Sequence, residues 1–237
     1  MPVKILVGAA DKDRPMLSDA VQDYLKAIFK LSRAPEAAGM VTTSHIAARL
    51  RVSAASATNM IKKLAEMRLL DHHPYQGVEL TPAGEKIALE IVRHHRLLEL
   101  YLREALGYEW DQVDAEADRL EHVISEDFED RIDKALGHPT VGAHGEPIPT
   151  KDGEIADHHY QRLSELSAGQ RGRIRQVSDR DPELLRYLDR SGLVLGTEVR
   201  VRDRAPFQGP ILLDVGRSGE RHIGLDVAAA IYVDVLR

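Results

Sequence analysis

The sequence predicts a mainly α-helical, modular protein that ends in a small, barrel-like β domain. Three observations carry this expectation. A chain of 237 residues is too long for one small core and suits two or three compact domains. As far as Leu136, apolar residues recur mostly at three- and four-residue steps, the period of a helix face. From about Ala168 the pattern changes to short segments rich in β-branched residues, GRIRQV, TEVRVRD, ILLDV and IYVDV.

The opening MPVKILVGAADKDRP has a short apolar stretch followed by a charged run, so residues 1–16 read as an extension and not as a signal peptide. Between Ser18 and Leu31, the positions Val21, Leu25, Ile28 and Leu31 mark one face of a helix. RAPEAAGM is a loop by its Pro and Gly, after which Thr42 or Thr43 N-caps a short helix running to Leu50. Arg51 and Val52 form a turn, and Ser53 caps the helix SAASATNMIKKLAEMRLL, with Met60, Ile61, Leu64, Met67 and Leu70 as its apolar members. Two short helices about a tight turn make a helix-turn-helix, whose second helix is the one that enters a DNA major groove. DHHPYQGVELT then reads as two short strands around a Gln-Gly turn, a wing.

Thr81 and Pro82 are the cap and first residue of a long helix that runs to about Leu106 and stops before Gly107. A second helix is expected from about Gln112 to Leu136. The breaker-rich GHPTVGAHGEPIPTKDGE closes the helical region, a short helix follows, and PELLRYLDRSG is one helix among the strands of the last domain. These readings divide the chain into an extension (1–16), a winged helix-turn-helix (17–85), a helical domain (86–155) and a β domain with its linker (156–237).

The composition is 43% hydrophobic and 30% charged, and no apolar run approaches the ~20 residues that span a bilayer, which predicts a soluble, cytoplasmic protein with no membrane partner. With no cysteine, disulfides and thiolate metal sites are excluded, and His, Asp and Glu are left as the strong ligands. The net charge of -6 is unevenly placed: residues 17–90 carry nine Lys or Arg against eight Asp or Glu, residues 91–237 twenty against twenty-eight. An acidic region neutralised by a cation is one way to build a metal switch, and an ordinary solvated surface explains the same count.

The segment from Asp114 to His122 is the most informative for chemistry. Asp118, Glu121 and His122 stand at i, i+3 and i+4 and would share one helical face. On the preceding helix His95 and Glu99 are also four apart, so a second imidazole and carboxylate pair can face the first. Carboxylates with one or two imidazoles suit a hard ion such as Mn(II) or Fe(II). The same residues would equally form solvated pairs with Arg96, Arg103 and Arg119. On the second helix of the helix-turn-helix, Ser53, Ala54, Ala55 and Ser56 make a smooth N-terminus for close approach to DNA. Asn59 can reach a base edge, and Arg51, Lys62 and Lys63 can meet phosphates. His72 and His73 alternate across a wing strand, and His158 and His159 read as surface residues. No Gly-rich phosphate loop, nucleophile elbow or HExxH is present, so an enzyme is not expected. A metal-dependent hydrolase and a winged-helix regulator that senses an organic ligand are the alternative classes.

The phrases QDYLKAIFKL, IAARLRVSAASATNMIKKL, GVELTPAGEKIA, HHRLLELYL, ADRLEHVIS and GEPIP resemble, in order and spacing, the diphtheria toxin repressor and manganese transport regulator family over residues 17–237. The resemblance implies an SH3-like or FeoA-like third domain. The function expected is a metal-dependent regulator of metal-homeostasis genes, with repression and activation both left open, acting as a homodimer joined through the central helices on double-stranded DNA at an inverted repeat, since two-fold symmetry matches palindromic DNA. The resemblance places Asp23, His95, Asp118, Glu121 and His122 on ligand positions. Asp23 and Asp118 stand where iron-responsive members have Met and Cys, which favours Mn(II) over Fe(II). Lys26 falls where short manganese regulators place a second Glu, so a different second site is expected from His95, Glu99 and Asp114, with Gln176 or Asp179 reaching in from the third domain. Gly142 replaces a Cys of many relatives while His144 is kept, and Ala55 replaces a Pro of the iron-responsive branch.

Overall fold

The computed structural model describes residues 17–33, 40–179, 181–216 and 218–236; the expected extension over residues 1–16 and most of the RAPEAAGM loop lie outside them. The chain forms two compact units, Met1–Glu85 and Lys86–Arg237.

The first unit contains α1 (Asp19–Ser32), α2 (Thr43–Leu50), α3 (Ala54–Glu66), β1 (Leu70–His73) and β2 (Gly77–Leu80). The buried face of α1 carries Val21, Tyr24, Leu25, Ile28 and Phe29, and Ile46, Ala57, Ile61, Leu64 and Val78 are buried in the same unit. Both expected caps form: Thr42 accepts from the His45 amide at 3.3 Å and Ser53 from the Ser56 amide at 3.1 Å, each worth about 1 kcal/mol. Between them Arg51 adopts a left-handed conformation (φ 53°), which turns the chain within two residues. The third helix stops at Glu66 and does not reach Leu70, because Leu70 is taken into β1, where it pairs with Leu80. Val41 adds an edge to this wing through bonds of 3.0 and 2.9 Å with Val78. Gly77 (φ 140°) faces that edge, and a Cβ there would stand 2.6 Å from the Val41 carbonyl oxygen. Thr81 then accepts from the Gly84 amide at 3.2 Å and starts α4 (Pro82–Leu106).

In the second unit α4 is followed by α5 (Val113–Leu120) and α6 (Glu126–Ala135). The single helix expected from Gln112 to Leu136 is therefore two. Ser125 breaks it by N-capping α6 at the Phe128 amide (3.3 Å), with Glu126, Asp127 and Glu129 in the first turn, where the helix dipole favours anions. Leu97, Leu98, Leu102, Val113, Ala117, Ile132, Ala143 and Ile148 form the core of the helices.

The remaining elements are β3 (Gln161–Arg162), a single 3-10 turn at Leu163–Glu165 in place of the expected short helix, β4 (Arg171–Val177), α7 (Pro182–Ser191), β5 (Glu198–Arg204), β6 (Ile211–Val215), β7 (Gly219–Ile223), α8 (Leu225–Ala229) and β8 (Ile231–Leu236). The strands pair antiparallel in the order β3-β8-β4-β5-β6-β7. This corrects the expected barrel: among the described residues β3 and β7 do not pair, and the sheet stays open because its outer strand β3 is only two residues long. Ile174, Leu185, Leu188, Val201, Leu213, Ile231 and Val233 build its core together with Trp110, which comes from the connection between α4 and α5. No helix among the described residues is long and apolar enough to cross a membrane.

The loop from Gly142 to Glu146 lies against β4. The His144 carbonyl accepts from the Val177 amide at 2.9 Å. At Gly145 (φ 92°) a Cβ would stand 2.0 Å from the Arg175 carbonyl oxygen and 2.7 Å from the Gln176 Cα. Backbone cannot give way as a side-chain end can, so Gly145→Ala is expected to destabilise by at least about 1–3 kcal/mol. Gly142→Ala, whose Cβ would meet the Arg96 side chain at 3.4 Å and the Glu146 carbonyl oxygen at 3.6 Å, ordinary contact distances, is expected to be milder. Urea unfolding of the two variants side by side checks this, and equal stabilities would contradict it.

Candidate metal centre

Helix α4 places His95 and Glu99 one turn apart, and both are buried. Helix α5 places Asp114 and Asp118 one turn apart, half-buried and exposed, and Glu121 caps the end of α5 with its side chain buried. His95 is the hub. Its Nδ1 lies 2.6 Å from Glu121 Oε2 and 3.4 Å from Asp118 Oδ1, and its Nε2 lies 3.3 Å from Asp114 Oδ1 and 3.4 Å from Glu99 Oε1. One ligand atom each from His95, Asp118 and Glu121 fall within 4.8 Å of one another, as do those from His95, Glu99 and Asp114. A neutral ring that donated its Nδ1 proton to Glu121 would present its Nε2 lone pair to Glu99 and Asp114. Burial opposes charge on Glu99, but His95 and His144 outweigh it and hold its carboxyl well below the usual range. Such a set of carboxylate oxygen and imidazole nitrogen, with no cysteine in the chain, fits a hard divalent ion.

His122 is half-buried, with Nε2 3.5 Å from Glu121 Oε1. Asp118 stands in the last turn of α5, whose C-cap Glu121 keeps a helical conformation (φ -59°, ψ -24°) and a 2.9 Å bond from its amide to the Ala117 carbonyl, and His122 follows in the turn before Ser125. Asp23 sits half-buried on α1 in the first unit. Gln176 is half-buried on β4 and Asp179 lies two residues beyond that strand, outside both groups of ligand atoms. The charge of Asp179 acts on His144 and Glu146.

Two features escaped the sequence reading. Arg93 and His94 on α4 hold Glu129 of α6 at 2.5 and 3.1 Å, and His94 Nδ1 also reaches the Glu121 carbonyl at 3.2 Å, which fixes the turn that presents Glu121. No periodicity shows such a pairing between separate helices. The other is Glu146, two residues after the His144 that the resemblance had already retained. His144 stacks on Trp110 with ring centres 5.6 Å apart, and its Nδ1 is 3.4 Å from Glu99 Oε1. Burial opposes the charged imidazole, yet Glu99, Glu146 and Asp179 raise it to about 9.

On the first unit Ser53, Ala54, Ala55, Ser56, Asn59, Lys62 and Lys63 are all exposed along α3 and its cap, and Arg51 is exposed in the turn. Tyr75 at the wing tip is fully exposed with φ 65°, a feature the sequence reading did not single out. His72 is exposed and His73 pairs with Glu79 at 3.1 Å, while His158 and His159 are at the surface.

Three family models match successive stretches of the chain. Residues 16–78 match the family described as the iron dependent repressor, N-terminal DNA binding domain. Residues 81–150 match the iron dependent repressor, metal binding and dimerisation domain, and residues 161–235 the FeoA domain. The chain is 32% identical over 212 residues to the iron-dependent repressor IdeR of Mycobacterium leprae, covering 84% of this chain and 90% of that protein. It is 30% identical over 230 residues to the diphtheria toxin repressor of Corynebacterium glutamicum, covering 92% and 97%. A solved manganese-dependent transcriptional repressor in complex with manganese superposes with a TM-score of 0.84 at 40% identity, covering 91% of this chain and 100% of that one.

Proposed function

We propose, because this chain belongs to the iron-dependent repressor family of metal-dependent transcriptional repressors, that it represses manganese-homeostasis genes and binds its operator when loaded with Mn(II). The observation that carries the choice of metal is the buried hub at His95, whose neighbours are Glu99, Asp114, Asp118 and Glu121, oxygen ligands throughout. In this reading Asp23, Asp118, Glu121 and His122 hold one ion, with Glu121 oriented by His95. His95, Glu99 and Asp114 hold a second, with Asp179 or Gln176 near it. An ion that takes ligands from Asp23 as well as from Glu121 favours one placement of the DNA-reading unit, and so shifts the population toward the form that binds DNA.

The exposed face of α3 is the base reader, with Ser53, Ala54, Ala55, Ser56 and Asn59 at the groove and Lys62 and Lys63 at phosphates. A homodimer would read an inverted repeat, since two-fold protein symmetry matches palindromic DNA. The exposed apolar side chains Leu106, Val123 and Phe128 of the helical segment support a second copy as their cover. The protein would act in the cytoplasm, where that DNA is.

The test is fluorescence anisotropy of an operator duplex, titrated with protein in chelator, Mn(II), anaerobic Fe(II), Zn(II) and Mg(II) at fixed salt. Mn(II) is expected to tighten binding at least about tenfold, roughly 1.4 kcal/mol of coupling. Larger stimulation by Fe(II) would make this an iron regulator, and tight binding in chelator would make the cluster structural.

A further inference from the structure

Farther along α4 than the metal centre, an open cleft of about 510 Å³ lies between the end of that helix, the residues that follow α6 and the connection from α7 to β5. Gly137 and His138 (φ 75° and 59°) end α6 and turn the chain into the stretch 139–143 that forms one wall. The volume falls within the range of small-molecule sites, ~300–1,000 Å³. Leu100, Leu136, Val141, Val194 and Leu195 line it with apolar surface, and its two charged residues are Arg103 and Glu104.

Arg103 is the unusual member. Long cationic side chains normally carry the charged head out to water. Here the guanidinium lies 4.8 Å over the Trp110 ring, and its Nη1 donates to the Ala143 carbonyl at 3.1 Å, which holds the side chain half-buried in the cleft lining. Among the described residues it forms no ion pair and no other hydrogen bond, so most of its five N–H donors are left for a ligand. Burial outweighs the favourable fields of Asp189 and Glu104 and lowers the guanidinium below its ordinary value, as for a cation short of anions. One planar guanidinium matches one carboxylate through two parallel bonds. Glu104 on the same lining repels a second negative charge, which disfavours phosphate and dicarboxylates.

We propose that this cleft binds a small monocarboxylate with an apolar body, its carboxylate on Arg103 and its body against Leu100, Val141 and Leu195. Binding here needs no metal, so the proposal is independent of the Mn(II) reading. It also carries its own reporter. The Ala143 carbonyl accepts from both Arg103 and Trp110 Nε1 (2.9 Å), and Trp110 is the single tryptophan of the chain.

The test titrates sodium hexanoate into the full chain and follows tryptophan fluorescence, with hexan-1-ol, hexylamine and inorganic phosphate as the other probes at fixed salt. Hexanoate is expected to give a saturable change, with a midpoint at least tenfold lower than that of any of the other three. Arg103→Gln should abolish the response, but it also removes the stack on Trp110. Val141→Glu is therefore the second variant: Val141 is 37% exposed, and the new carboxylate stands in the cleft while Arg103 and Trp110 are kept. It is expected to leave the unliganded spectrum unchanged and to raise the hexanoate midpoint at least fivefold. Equal midpoints for hexanoate and hexan-1-ol overturn the proposal, as an apolar crevice with no use for the charge. A hexanoate midpoint that Val141→Glu does not move overturns it too, since binding would then lie elsewhere. So does a wild-type chain with no saturable response whose mass by light scattering falls in Val141→Glu, because a second copy would then cover the cleft.

Discussion

Asp118→Ala is expected to lose metal-stimulated DNA binding while the metal-free fold is unchanged. The side chain is 54% exposed and takes no part in the apolar core, whereas its neighbour Ala117 is fully buried. Alanine is also the better helix former at this position of α5, by a few tenths of a kcal/mol. What the substitution removes is a carboxylate 3.4 Å from His95 Nδ1, in the same group as Glu121. If that group holds the switching ion, the coupling it supplies, typically about 1–3 kcal/mol or roughly 5- to 150-fold in affinity, goes with it. Glu121→Ala would be a poorer experiment, since it also strips buried His95 of its 2.6 Å partner and so mixes folding with binding. The check is the anisotropy titration in chelator and in Mn(II), with circular dichroism as the control for folding. An Asp118→Ala protein that still gains tenfold with Mn(II) would sink the site.

Local signals were legible in the sequence. Thr42, Ser53 and Thr81 cap the helices they were expected to cap, because a cap is a contact between residues two or three apart. The four β-branched segments became β4, β5, β6 and β8. β7 was missed because GERHI buries only Ile223 and shows no alternation of apolar residues. Ser125 followed by three acids in four residues was a readable helix start, overlooked because the apolar period runs on through the break. His95, Glu99 and Asp118 were found by spacing, and Asp23 only by resemblance. His144 and Glu146 have no periodic signature at all. Their place depends on Gly145 meeting β4, a contact across some thirty residues that only the folded chain reveals.

The largest stability effect is expected from Glu129→Ala. Glu129 is buried between Arg93 Nε at 2.5 Å and His94 Nε2 at 3.1 Å, and removing one partner of a buried pair leaves the other charge uncompensated, at a cost of about 3–5 kcal/mol. Arg93 keeps Asp133 at 3.1 Å and the Pro149 carbonyl at 2.8 Å, which places the expected loss toward the lower end. The loss also carries a pH signature. Burial alone would raise the Glu129 carboxyl, but His94 and Arg93 outweigh it and hold it below the ordinary value of 4.5. A depressed carboxyl contributes stability that is complete above its unfolded pKa and disappears as pH falls through the folded one. The stability gap between wild type and Glu129→Ala should therefore be wide at pH 6 and narrow steadily below about pH 4.5. Urea unfolding of both proteins at pH 6, 5 and 4 measures it. A gap that does not change with pH would mean that Glu129 acts through packing and not through its charge. Once folded at pH 7, Glu129→Ala should keep part of its response to Mn(II), because Glu121, Asp118 and His95 remain, whereas Asp118→Ala should fold normally and lose it. The two variants thus separate the scaffold that positions Glu121 from the ligands themselves.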